Sequence, residues 1–237
     1  MNKKAIILSA AVMALLPVSS IFAADMQTTV FDWTGFYAGV TGGYDWGHSD
    51  RGSYNSNNGA LVSTGGHPAS GVFGGPFGGY NFMLPNRIVL GAEADVFVNG
   101  SSGTETISNA SGSNVSVTND NTDWSGTVRS RLGYAFDRTL IFGTAGFAWA
   151  HVNVTRTQNA GTTGAATPGT VESSSAWVPG AVIGAGIEEA FTPNLIGRVQ
   201  YLYTVYSDRV ITAPVAQRFS NSAHDYNNQV QLGSVPR

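Results

Sequence analysis

The chain contains no cysteine, so disulfides and thiolate metal sites are both unavailable to it. Lysine is almost absent: the only two, Lys3 and Lys4, lie at the extreme N-terminus. The remaining ten basic residues are all arginine and face 15 acidic ones, with no basic run, which argues against nucleic acid as a partner. Charge is scarce, at 11% of residues, yet 42% of residues are hydrophobic, a balance that does not suit a disordered chain. Continuous apolar runs are missing too. The longest, Ala5–Leu16, falls short of the roughly 20 residues that cross a bilayer as a helix. Any membrane this chain spans must be spanned by strands, because a bilayer leaves no water to satisfy exposed backbone groups.

That apolar run has another reading. Met1–Lys4 is a short positive region, Ala5–Leu16 an apolar segment, and Ile21-Phe22-Ala23 a small-residue cleavage site. This order describes a secretory signal peptide over residues 1–23, cut after Ala23 or one residue later, with residues 24–237 as the exported domain.

What the chain does have is period-two alternation. In Trp124–Arg138, WSGTVRSRLGYAFDR, residues Trp124, Val128, Leu132, Tyr134 and Phe136 share one face, and Thr127, Arg129 and Arg131 share the other. Successive strand side chains point to opposite sides, so this is a strand with aromatics at both ends of its apolar face and arginines inside its polar one. Similar stretches recur at Gly35–Gly47, Gly71–Phe82, Ile88–Val98, Leu140–Val154, Ala176–Ala190, Leu195–Tyr206 and Tyr226–Val235. Leu140–Val154 looks apolar on both faces, and its register stays open. Pro76 lacks a ladder donor and predicts a bulge in the second strand. Long Gly/Asn/Ser-rich links (48–70, 99–123, 155–175 and 207–225) alternate with the short turns 84–87, 137–138 and 191–194. Eight strands, short turns at one end and long loops at the other describe an eight-stranded antiparallel up-and-down transmembrane β-barrel. Trp46, Trp124, Trp149 and Trp177 fall at the loop-side ends of strands, and Tyr80, Phe82, Tyr134, Phe136 and Phe191 near the turns. Two aromatic girdles at the two water interfaces have this form, whereas a secreted β-sandwich predicts neither ring nor strict alternation.

Two sets of residues are candidates for chemistry. Glu93 and Asp95 on the third strand face Arg129 and Arg131 on the fourth, and Glu188 with Arg198 makes a second pair. Glu93 and Asp95 could act as an acid–base pair. The facing arginines favour a structural charge network instead, because the interior of an eight-stranded barrel is just wide enough to be filled by side chains. The second set is His48, His67, His151 and His224, all on the loop side. Imidazole ligates haem and metal ions, but no pair shows ligand spacing, so no metal site is expected and haem remains the one cofactor to test.

The motifs resemble a family. FDWTGFYAGVTGGYDWG, GGYNF, GAEAD, the fourth strand WSGTVRSRLGYAFDR and VQYLYT are similar to the small outer-membrane immunogenic proteins of rhizobia-like alphaproteobacteria, often labelled porin-family barrels. The resemblance covers nearly the whole mature chain. It implies an OmpA-like barrel in the outer membrane that acts as a surface antigen, with haem binding or a narrow diffusion channel as alternatives and no enzymatic activity. Expected partners are outer-membrane lipid, the barrel-insertion machinery and, through the loops, haem or host surface molecules. Glu189 stands where the family has an aromatic and Phe77 where it has an inward polar residue. Relatives close on a terminal aromatic that the insertion machinery reads, whereas this chain ends Ser234-Val235-Pro236-Arg237. The expectation is weaker insertion. Outer-membrane yield should rise when the last residues are exchanged for an aromatic-terminated strand, and equal yields would reject this.

Overall fold

A computed structural model describes residues 31–55, 61–108, 114–158, 169, 171–207, 209–212 and 219–236. The signal segment lies outside them. Among the described residues there are nine strands: β1 Gly35–Asn55, β2 Leu61–Met83, β3 Ile88–Ser108, β4 Asn114–Phe136, β5 Thr139–Gln158, β6 Val171–Thr192, β7 Leu195–Tyr206, β8 Arg209–Thr212 and β9 Phe219–Pro236. Every neighbouring pair is antiparallel, and β1 pairs with both β2 and β9, which closes an eight-membered ring. The short β8 pairs only with β9 and continues the β7–β9 hairpin outward. Closure removes the free edges that lipid would not tolerate.

Alternation of side chains sorts the wall. On β4, Trp124, Val128, Leu132, Tyr134 and Phe136 are exposed on the outside, while Thr127, Arg129, Arg131 and Ala135 are buried inside. The register of β5 is now settled: Leu140, Phe142, Thr144, Ala148, Ala150, Val152 and Val154 point inward, and Ile141 and Phe147 face out. Phe36, paired with Tyr80 at the turn end, and Trp46 lie ten residues apart on β1. At about 3.3 Å per residue and a tilt near 40°, that spacing gives an apolar band of roughly 25 Å, the height of an outer-membrane barrel's lipid face.

Three expectations need correction. The long links are mostly strand: β1 runs on to Asn55, β3 to Ser108 and β5 to Gln158, and their partners begin at Leu61, Asn114 and Val171. The tryptophans therefore sit in mid-strand. Beyond the girdle the outward face meets water instead of lipid and the inward face carries buried polar residues such as Ser49, Ser101, Thr118 and Asp120, so hydrophobic alternation disappears while backbone pairing continues. Pro76 makes no bulge either. It faces Val40 in unbroken register with β1, and the ladder to β3 omits Gly75 and Pro76 while keeping the same register on both sides, Gly74↔Val98 and Phe77↔Asp95. A missing donor costs a ladder bond without needing an extra residue.

The turn end is closed by more than turns. Asp137, at positive φ, forms the two-residue hairpin from Phe136 to Thr139. Residues 31–34 fold under the ring: Phe31 N donates to Asp137 O at 3.3 Å, and Met83 N donates to Thr34 Oγ1 at 3.1 Å. Trp33, fully buried, joins Val89, Ala135, Leu140, Ala190, Ile196 and Val235 in an apolar plug across the lumen. Glu189 is accommodated beside this end, accepting a hydrogen bond from Thr139 Oγ1 at 2.5 Å.

The lipid band makes a prediction. Val128→Arg, in the middle of the outward face of β4, should destabilise the folded barrel in lipid vesicles by about 2–4 kcal/mol. Thr106→Arg, beyond the girdle on β3, should change stability by no more than about 0.5 kcal/mol. Urea titrations of the two variants read both.

Candidate functional site

Directly above the apolar plug the lumen is crossed by charge. Antiparallel register sets Glu93 opposite Arg129 and Glu188 opposite Arg198. The expected group of four and the expected pair form one cluster. Arg129 Nη2 donates to Glu93 Oε1 at 2.6 Å and to Asp95 Oδ2 at 2.7 Å. Arg198 spans the barrel, donating from Nε to Glu188 Oε1 at 2.6 Å and from Nη2 to Glu93 Oε2 at 2.6 Å. Arg131 Nη2 lies 2.9 Å from Glu188 Oε1. Three carboxylates meet three guanidinium groups, and none of the six residues is more than 4% exposed.

Tyr37 completes the centre. Its hydroxyl donates to Glu93 Oε2 at 2.8 Å and accepts from Arg131 Nη1 at 2.9 Å. Phe142 lies 3.9 Å from the Arg131 guanidinium and Phe77 4.3 Å from that of Arg198, measured to the ring centroids. Flat cations stacked on aromatic faces need fewer hydrogen bonds to be satisfied when desolvated. Phe77 thus occupies an inward position usefully despite being apolar. Thr127 Oγ1 holds the remaining carboxylate, donating to Asp95 Oδ2 at 2.7 Å. Sequence reasoning missed Tyr37, Thr127 and Trp33. The only available signal was parity: Tyr37 falls on the inward face of β1, opposite Phe36.

Outward from the cluster comes a neutral layer, in which Gln200 Nε2 donates to Gln231 Oε1 at 2.8 Å. Above that lies a partly open cavity of about 80 Å³, at the level of the tryptophans. His48 and His67 line it. His67 is buried 3.4 Å from Asp120. The imidazole fits there because residue 103 is glycine, where a Cβ would come within 2.3 Å of the ring. His151 is elsewhere, packed against Trp177 at 4.8 Å between centroids and 3.7 Å from Asp123. The side chain of His224 lies outside the described residues. His48 and His67 thus share one cavity and His151 lies apart from them, and among the described residues no cluster of three or more His, Asp or Glu side chains is arranged to hold a metal ion.

The girdle residues sit as follows. Trp46, Trp124, Trp177, Tyr80, Tyr134 and Phe136 are exposed on the outer wall. Trp149 is half-buried because its ring folds over Gly126 on β4, where a Cβ would come within 2.4 Å of it.

A closed eight-strand ring with an aromatic-bounded lipid band is the outer-membrane architecture, and the comparisons agree. The model of the outer membrane protein beta-barrel domain matches residues 9–235. The chain belongs to this family. It is 36% identical over 182 residues to the 31 kDa outer-membrane immunogenic protein of Brucella melitensis biotype 1, covering 73% of this chain and 71% of that protein. It is 31% identical over 179 residues to the 22 kDa outer membrane protein of Rhizobium leguminosarum bv. viciae, covering 75% and 66% respectively. Among solved structures, the outer membrane protease OmpT from Escherichia coli aligns with a TM-score of 0.54 at 10% identity, over 89% of this chain and 99% of that one. At that identity the likeness is one of fold alone. This barrel is located in the outer membrane, with its short turns on the periplasmic side.

The buried cluster predicts a large loss from a single cut. Arg198→Leu removes one of the two guanidinium groups that bridge Glu93 and Glu188, leaves three buried carboxylates to two cations, and should destabilise the barrel by about 3–5 kcal/mol. Adding Glu93→Gln to that variant should recover part of the loss. Reversible unfolding in detergent, followed by tryptophan fluorescence, measures both.

Proposed function

We propose that this barrel is a non-enzymatic, non-conducting surface protein that anchors in the outer membrane and presents its extended outer hairpins as an antigenic and interaction surface. The layered lumen carries this reading. A neutral six-charge cluster spans the interior above an apolar plug that includes Trp33, and the charged groups are spent on one another. Glu93 and Asp95, the acid–base candidates, are each held by arginine.

The outward half of the molecule is where a partner can reach it. Strands of 20–23 residues extend roughly 50 Å along the barrel axis at a 40° tilt, about twice the lipid band. The curated relatives are named as immunogenic outer-membrane proteins, which fits a role for the exposed hairpins.

Two measurements test this. In planar bilayers the refolded protein should give no discrete single-channel steps, and steady conductance would overturn the non-conducting part. An epitope tag inserted at 109–113 should be labelled by antibody on intact cells. Labelling only after permeabilisation would overturn the surface role.

A further inference from the structure

The cavity above the charge cluster has chemistry that the cluster does not use. Asp45 points into it and is 2% exposed. Its carboxylate accepts from Ser101 Oγ, at 2.6 Å on one oxygen and 2.5 Å on the other, and from Asn227 Nδ2 at 3.1 Å. Among the described residues no cationic side chain lies within ion-pair distance of it. A buried carboxylate without a counter-charge is costly, and each of the three acids in the charge cluster below has an arginine.

A second observation is independent of the first. Ser49, four residues on along the inward face of β1, is 6% exposed, and its hydroxyl has no hydrogen-bond partner. Asn227 gives its amide N–H to Asp45, which turns its carbonyl oxygen away, and that oxygen is also without a partner. Asp45 and Asn227 therefore set a carboxylate and a free amide oxygen side by side, while the Ser49 hydroxyl lies about 13 Å further along the strand at roughly 3.3 Å per residue. The nearby acid Asp120 lies 3.4 Å from His67 Nε2, whereas Asp45 is met only by the neutral donors Ser101 and Asn227 among the described residues.

The opposite wall differs in kind. Ala150, Val152 and Val178 form a buried apolar patch with the ring of Tyr206 packed against it. The cavity has one acceptor-rich anionic side and one aliphatic side.

We propose that this cavity binds a small primary ammonium compound carrying a short apolar chain. The ammonium supplies one positive charge and N–H donors, matching the Asp45 carboxylate and the unpartnered Asn227 carbonyl oxygen beside it. The chain covers the valine wall. A neutral alcohol of the same shape matches neither the charge nor the donor count. A quaternary ammonium keeps the charge but has no N–H to give.

The test uses the full barrel, refolded in detergent micelles with ¹³C-methyl-labelled valine, and n-butylammonium as the probe. Saturable shifts of the Val152 and Val178 methyls are expected with n-butylammonium and not with 1-butanol. Asp45→Asn keeps the shape and should raise the dissociation constant at least tenfold. Asp137→Asn removes the same charge from the far periplasmic turn and should leave binding unchanged. Val152→Trp keeps Asp45 but fills the cavity, and should abolish the shifts. Heat-modifiable gel migration confirms that each variant is folded. The proposal is overturned by equal binding of 1-butanol, by an Asp45→Asn variant that binds as wild type, by a folded Val152→Trp barrel that still binds, or by no saturable shift in the wild-type protein.

Discussion

Everything in this molecule follows from one constraint: no backbone N–H or C=O can be left unpaired in lipid. A flat sheet has two edges that violate it, so β9 must return to β1. It does so through a ladder from Asn55↔Phe219 down to Val40↔Ser234. Closure at eight strands then dictates the interior. A ring of this size has room for side chains and little else, and alternation sends every second residue into that space. The lumen is therefore a core, built from whatever the inward positions carry.

Those inward positions are layered by chemistry along the axis. Near the turns they are apolar, and Trp33 from the segment before β1 seals them. At mid-height they are charged, and three carboxylates and three guanidinium groups neutralise one another in one network. Further out come glutamines, then the cavity with Asp45. The order makes physical sense. Desolvated charge is tolerable only where opposite charges meet with good hydrogen-bond geometry, and register delivers that only at the level where Glu93 faces Arg129 and Glu188 faces Arg198. Asp45 is the exception, a buried anion met only by neutral donors.

Much of this was legible in the chain beforehand. The lipid face of β4 was readable because Trp124, Val128, Leu132 and Phe136 must all contact one apolar phase, which imposes strict alternation. The charged residues were readable because they interrupt otherwise small or apolar strands. The outer halves of the strands were not: Thr104, Thr106 and Thr118 lie in paired ribbon beyond the membrane, where neither face needs to be apolar. Tyr37 was not legible as part of the cluster, since a tyrosine between Phe36 and Ala38 gives no local sign of which partners lie across a barrel. The same holds for Trp33, whose neighbours come from six different strands.

The sequence by itself determined which residues touch lipid, how many strands cross it and in what order, and which side of each strand carries charge. These are consequences of period two and of a single nonpolar solvent, and both act locally along the chain. Only the tertiary structure decided who meets whom inside. It joined an expected group of four charges and an expected ion pair into one cluster around Tyr37, set His48 and His67 on one cavity with His151 apart from them, and left Asp45 facing a valine wall. Ring closure and the relative stagger of neighbouring strands set those meetings, and both depend on all eight strands at once.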